Sequence, residues 1–149
     1  MNASASILIL LVEDNEGDIE LTQIAFARAG VNARFTIAHN GAEAVEYILK
    51  QGKFKESPVP DLILLDINMP RMGGLECLRI IKQDESAKII PVIMLTSSNA
   101  QNDILGLYQA HANSYVLKPH GIKANIDMAK QIEQFWINLA RLPSLIETE

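Results

Sequence analysis

The sequence predicts an α/β fold, a doubly wound (βα)5 domain with a five-stranded parallel sheet and helices on both faces. Three observations carry that prediction. Short continuous apolar runs recur, such as Ile7–Val12 and Leu62–Leu65, and suit strands buried on both faces. Stretches with apolar residues at i, i+3, i+4 spacing separate them. The order is strand then helix, five times, which builds a parallel sheet.

Residues 1–5 read as a small polar tail, expected to be flexible, and residues 6–149 as one domain. Ile7–Val12 is the first strand and ends in the acidic pair Glu13-Asp14. Asn15-Glu16-Gly17 reads as a loop. A helix is expected from about Asp18 to Ala29, with Leu21, Ile24 and Ala25 on its inner face and Gly30 as its stop. Arg34–Ala38 is a weaker strand. Asn40 followed by Glu43 has the form of a capping box, and Val45, Ile48 and Leu49 give the next helix its apolar stripe.

A polar loop, Gln51–Pro60, leads to the strand Leu62–Leu65 and to Asp66 at its end. Pro70 and Gly73-Gly74 turn the chain into a helix from about Gly74 to Asp84, with Leu75, Leu78 and Ile81 inward. Pro91–Leu95 is the fourth strand, followed by Thr96-Ser97-Ser98. Asn99 is the expected cap of a helix through Ile104, Leu107 and Tyr108. Ser114–Leu117 is the last strand and ends at Lys118-Pro119. A final helix is expected from about Ile122 to Leu142, with Pro143 as its stop. After Pro119 there is room for one helix and a tail, so no output domain is expected.

Composition narrows the function. A net charge of −5 without a basic stripe argues against nucleic-acid binding. Lys50, Lys53 and Lys55 read as a solvated loop. The strongest apolar run is far too short to span a bilayer, and no basic segment precedes it, so neither a membrane anchor nor a signal peptide is expected and the cytoplasm is the expected location. The single Cys77 has no partner for a disulfide and reads as an inert buried thiol, and zinc-type Cys/His spacing is absent. His39, His111 and His120 read as isolated surface or loop residues, and Met69 and Met72 as loop packing.

Four strands finish in chemically capable residues: Glu13-Asp14, Asp66, Thr96 and Lys118. In a parallel sheet these ends share one edge, where ligands bind. Three carboxylates held together repel. At about 4 Å and an effective dielectric near 20 each pair costs roughly 4 kcal/mol. Mg²⁺ is the natural compensating ion, because it takes oxygen ligands and keeps waters while it binds phosphate. Lys118, the Thr96 hydroxyl and the amides around Ser97 can hold phosphoryl oxygens. A carboxylate so placed can act as nucleophile and form an aspartyl-phosphate.

These residues resemble the receiver domains of bacterial response regulators, over about Ile7–Ala140. Glu13-Asp14 match the family's acidic pair. Asp66, in D-I-N-M-P-R-M-G-G, matches the phosphoacceptor, and Thr96 the switch hydroxyl. Lys118-Pro119 match the family lysine and its proline, a bond then expected to be cis. Tyr115 matches the aromatic that turns on activation. The resemblance implies a flavodoxin-like strand order of 2-1-3-4-5. It implies Mg²⁺, with Mn²⁺ or Ca²⁺ as substitutes, on Asp14, Asp66 and the Asn68 backbone carbonyl, with Glu13 reaching it directly or through water. It also implies a sensor histidine kinase as donor, autodephosphorylation in place of turnover on a separate substrate, and output by protein contact.

The stretches S-P-V-P-D-L-I-L-L-D-I-N-M-P, Ser114–Lys118 and Phe135-Trp136 further resemble the small regulators paired with phytochrome-type kinases. Ser97 and His120 depart from the residues common at their places, and Asn68 and Ser98 occupy positions that set acyl-phosphate lifetime. Two other functions fit the site: a phosphorelay intermediate or phosphate sink, and a Mg²⁺-dependent phosphohydrolase. Asn68 argues against the second, because such enzymes carry an acid there. Apolar residues of the last helix sweep an arc of roughly 200°, wider than one sheet-facing stripe needs. That surplus predicts a homodimer through the C-terminal helix region.

Overall fold

The computed structural model describes residues 6–97, 101–140 and 142–143, the side chains of 101–103 excepted. The tail at 1–5, Ser98 and the expected cap Asn99 lie outside them. Five strands form one parallel sheet: β1 (Ile7–Val12), β2 (Ala33–Ala38), β3 (Leu62–Asp66), β4 (Val92–Thr96) and β5 (Ser114–Leu117), in the order β2-β1-β3-β4-β5. Between and after them run α1 (Glu16–Arg28), α2 (Gly41–Ile48), α3 (Gly74–Gln83), α4 (Gln101–Gln109) and α5 (Gly121–Ile132). This is the predicted doubly wound topology.

Period-two alternation explains the continuous apolar strands. Ile9, Leu11, Leu62, Leu64, Ile93 and Leu95 pack on one face with Ile19 and Phe26 of α1 and Met128 and Ile132 of α5. Leu10, Val12, Ile63, Leu65, Val92 and Met94 pack on the other with α2, α3 and Leu107 of α4. The inner strands are buried throughout, whereas the edge strands β2 and β5 are only half-buried.

Several local expectations change. Asn15 caps α1 by accepting from the Asp18 amide at 2.8 Å, so the helix starts at Glu16 rather than near Asp18. Its buried face is Ile19, Thr22, Ala25 and Phe26, and Ile24 is turned outward. Sheet contact selects that stripe over the neighbouring one. Asn40 does cap α2 through the Glu43 amide, but the Glu43 carboxylate reaches the His39 amide, one residue before the cap. His39 is therefore not isolated: its ring lies 3.1 Å from Glu16 and 3.3 Å from Glu43. Tyr47, bonded to the Pro58 carbonyl at 2.7 Å, is the large buried side chain of α2.

The final helix is not uniformly α. After Ile132 it winds as a π-helix over Glu133–Leu139, closed by the Ala140 amide on the Phe135 carbonyl at 2.6 Å. The wider turn lets Trp136 and Ile137 pack onto the α1/α5 core while Phe135 and Leu139 face outward. Cys77 is fully buried, and burial, with the nearby Glu76 charge, pushes its thiol up to about 12. Among the described residues no helix is long and apolar enough to cross a membrane.

The loop after β3 is held by close backbone approach. The Gly74 amide donates to the Ile67 carbonyl at 2.9 Å, and a Cβ at Gly74 would lie 2.5 Å from the Asp66 carbonyl oxygen and 2.7 Å from the Ile67 Cα. Only glycine fits without moving the backbone of Asp66. Gly74→Ala is expected to cost about 1–3 kcal/mol, read as a lower urea midpoint at unchanged slope.

Candidate functional site

The two buried acids stand on the innermost strands. Val12 pairs with Leu65, so Glu13 and Asp66, one residue further along each strand, come side by side. Glu13 is 2% exposed and Asp66 4%. Asp14 is exposed beside them. Each of the three can place a carboxylate oxygen within 4.8 Å of the other two. Backbone amides support two of them: Asn15 donates to Glu13 at 3.2 Å and Asn68 to Asp66 at 3.3 Å.

Lys118 reaches this cluster from the end of β5. Leu117 pairs with Thr96, and the Lys118 amide donates to the Thr96 carbonyl at 2.7 Å, which fixes where its stem begins. The ammonium lies 2.8 Å from Glu13 Oε1, 3.0 Å from Asp18 Oδ2 and 3.3 Å from Asp66 Oδ2. Burial raises the Glu13 carboxyl above its ordinary value. The Lys118 hydrogen bond opposes that rise and the Asp66 charge adds to it. Burial alone would lower the Lys118 ammonium, but hydrogen bonds to Glu13 and Asp18 and the Asp66 charge outweigh it and carry it above the usual lysine value.

A cavity of about 360 Å³ opens here. It gathers Glu13, Asp14, Asp66, Asn68, Ser97, Lys118 and Pro119 from the predicted set, and adds Asn15, Asp18 and His120. Thr96 and Tyr115 do not line it. Thr96 is fully buried at the end of β4, and Tyr115 is half-buried against the α2/α3/α4 core. Three larger hollows lie elsewhere among the described residues, and each has at most one carboxylate in its lining. No peptide bond among the described residues is cis. The Lys118–Pro119 bond is therefore trans, against expectation, and trans is the lower form of an X–Pro amide by about 0.5–1 kcal/mol.

Asp18 is the residue that sequence reasoning missed. The sequence reads it as a helix start, and the one hint of more is that it stands four residues after Asp14 in a run already rich in acids. With it the cavity holds four carboxylates against one lysine. Oxygen donors with such an excess of negative charge fit a hard divalent cation, and Glu13, Asp14 and Asp66 are the residues to hold it.

A family model described as response regulator receiver domain matches residues 9–130. The chain belongs to the response regulator receiver family. This receiver is 37% identical over 137 residues to the response regulator Rcp1 of Synechocystis sp., covering 92% of this chain and 93% of that one. The Mn(2+)-bound crystal structure of Rcp1 superposes with a TM-score of 0.84 over 92% of this chain and 99% of that one. The phosphorylated cyanobacterial phytochrome response regulator RcpA is 40% identical, with a TM-score of 0.87 over 93% and 99%.

The ammonium is also a structural group in this receiver. Lys118→Met removes the side-chain cation beside the buried Glu13 and is expected to cost about 2–4 kcal/mol in metal-free buffer. Adding Glu13→Gln should return about half of the loss, because only Asp66 then remains as a buried carboxylate without a cation. Urea denaturation of the double-mutant cycle measures both.

Proposed function

We propose that the chain is a phosphorylation switch whose Asp66 accepts a phosphoryl group from a sensor histidine kinase. The observation that supports this most is the buried Asp66 carboxylate, 3.3 Å from the Lys118 ammonium, in a cavity with three further carboxylates. An Asp66 oxygen attacks the phosphorus of the phosphohistidine. The P–N bond breaks, and its electron pair leaves with the imidazole nitrogen. Lys118 takes a phosphoryl oxygen, and the Ser97 region lies at the same cavity to donate to another. Glu13, Asp14, Asp66 and the Asn68 carbonyl would hold Mg²⁺, or Mn²⁺ or Ca²⁺ in its place, Glu13 directly or through water. When bound, the ion offsets the charge of carboxylates and phosphoryl together. The chain acts on itself, by phosphoryl uptake and autodephosphorylation, and turns over no separate substrate.

Thr96 and Tyr115 are the switch pair. Tyr115 is paired in register with Met94, two residues before Thr96 on β4, so both residues follow the strand parity that faces α2, α3 and α4. Phosphate draws in the Thr96 hydroxyl, Tyr115 turns inward, and the surface over β5 changes. The likeness to RcpA supports a phytochrome-type kinase as donor, and a cytoplasmic location goes with that partner.

Two copies associate through the C-terminal region. Phe135 is 50% exposed and Leu139 74%, next to a groove of about 610 Å³ between β5 and α5 whose lip, Leu117, is 48% exposed. Exposed apolar groups so grouped favour a partner surface. In sedimentation velocity, wild type should dimerise, and Phe135→Ser with Leu139→Ser should weaken the dimer by roughly tenfold or more.

With acetyl phosphate and Mg²⁺, intact-mass measurement should find one phosphoryl group on wild type and at least about a hundredfold less on Asp66→Ala. Equal uptake by Asp66→Ala would overturn the assignment.

A further inference from the structure

We propose that Asp18 is a positioning residue that competes with the phosphoryl group for the Lys118 ammonium, and so sets how readily the site takes phosphate. This rests on the acceptor role given to Asp66. An ammonium has three N–H donors. Three carboxylates surround this one: Glu13 at 2.8 Å, Asp18 at 3.0 Å and Asp66 at 3.3 Å. A phosphoryl oxygen therefore arrives at a lysine whose donors are all committed.

Phosphorylation replaces the Asp66 carboxylate by an acyl-phosphate, and the donor that served Asp66 passes to a phosphoryl oxygen. A second phosphoryl oxygen can be served only if another carboxylate yields. The Glu13 side chain is 3% exposed and cannot turn to water, so releasing it costs its full desolvation. The Asp18 side chain is 42% exposed and can. Asp18 is the partner that gives way. Until it does, its negative charge shares the same ammonium and opposes the incoming anion.

The pair is not a chance surface contact. Asn15 fixes the first turn of α1 through the Asp18 amide at 2.8 Å, and the Thr22 hydroxyl donates to the Asp18 carbonyl at 2.8 Å. The backbone that carries the carboxylate is thus held at the cavity wall, where Asp18 lies with Lys118.

Calorimetric titration of the full chain with beryllofluoride at saturating Mg²⁺ tests this. Asp18→Asn should bind roughly threefold to fivefold more tightly than wild type, the worth of one partly exposed ion pair. Asp18→Glu, which restores the carboxylate, should stay within about twofold of wild type. Glu20→Gln makes the same charge change at an exposed position on α1 outside the cavity and should match wild type. Titration with Mg²⁺ alone should find Asp18→Asn equal to or weaker than wild type, so the two ligands move apart, which a damaged fold would not produce. Asp18→Asn binding beryllofluoride no better than wild type, or Glu20→Gln gaining as much, would overturn the role of Asp18 and leave that of Asp66 standing. Wild type binding no beryllofluoride would overturn both.

Discussion

One ammonium holds the functional edge of this sheet together. Lys118 comes from the edge strand β5 and lies across the end of β4 from the acids of β1 and β3. Its four-carbon stem spans that gap, and its amide bond to the Thr96 carbonyl anchors the start. Lysine suits the task better than arginine. A compact charge with three rotatable donors can serve three carboxylates that come from three elements, whereas a planar fork matches one carboxylate in two contacts. Without that cation two almost fully buried acids would face each other with no partner of opposite sign, and the strand ends that carry them would be driven apart.

The acid at position 66 is held as firmly from behind as from the front. Gly74 lies so close to the Asp66 carbonyl that no side chain fits, and the Gly41 amide donates to the Met72 carbonyl at 3.2 Å, where a Cβ would lie 2.4 Å from the same oxygen. The loop after β3 is thus clamped at two glycines, one from its own helix and one from the start of α2. In the acceptor role proposed for Asp66 such rigidity counts, because displacement by even a fraction of an ångström would change how it meets the phosphorus and the lysine.

Much of this was legible in the sequence because a parallel sheet converts strand ends into neighbours. Once Ile7–Val12 and Leu62–Leu65 are read as inner strands, Glu13, Asp66, Thr96 and Lys118 have to share an edge. What stayed hidden depends on side-chain reach and tertiary contact. Asp18 reads as a helix start, because nothing local says that a lysine one hundred residues away ends beside it. On α1 the sequence places Ala25 correctly but puts Ile24 inside in place of Phe26, because the two are similarly apolar and only the sheet chooses between them. The π-winding at Glu133–Leu139 leaves no local mark either, since what accompanies it is the tertiary packing of Trp136 and Ile137 onto the core beneath.

The charge balance of the cavity has a thermodynamic consequence. Four carboxylates and one lysine leave it strongly negative before any phosphoryl group arrives, and a phosphoryl group adds further negative charge. A bound dication lowers the cost of that addition, and by linkage the phosphoryl group must then raise the affinity for the dication by the same factor. Asp18 enters both sides of this coupling with opposite sign. Its charge favours the cation, while its hold on Lys118 disfavours the phosphoryl oxygen. A single exposed carboxylate at the first turn of α1 can therefore tune the phosphorylated state without touching phosphorus, and the fold permits such tuning because Asn15 fixes that turn while the Asp18 side chain keeps access to water.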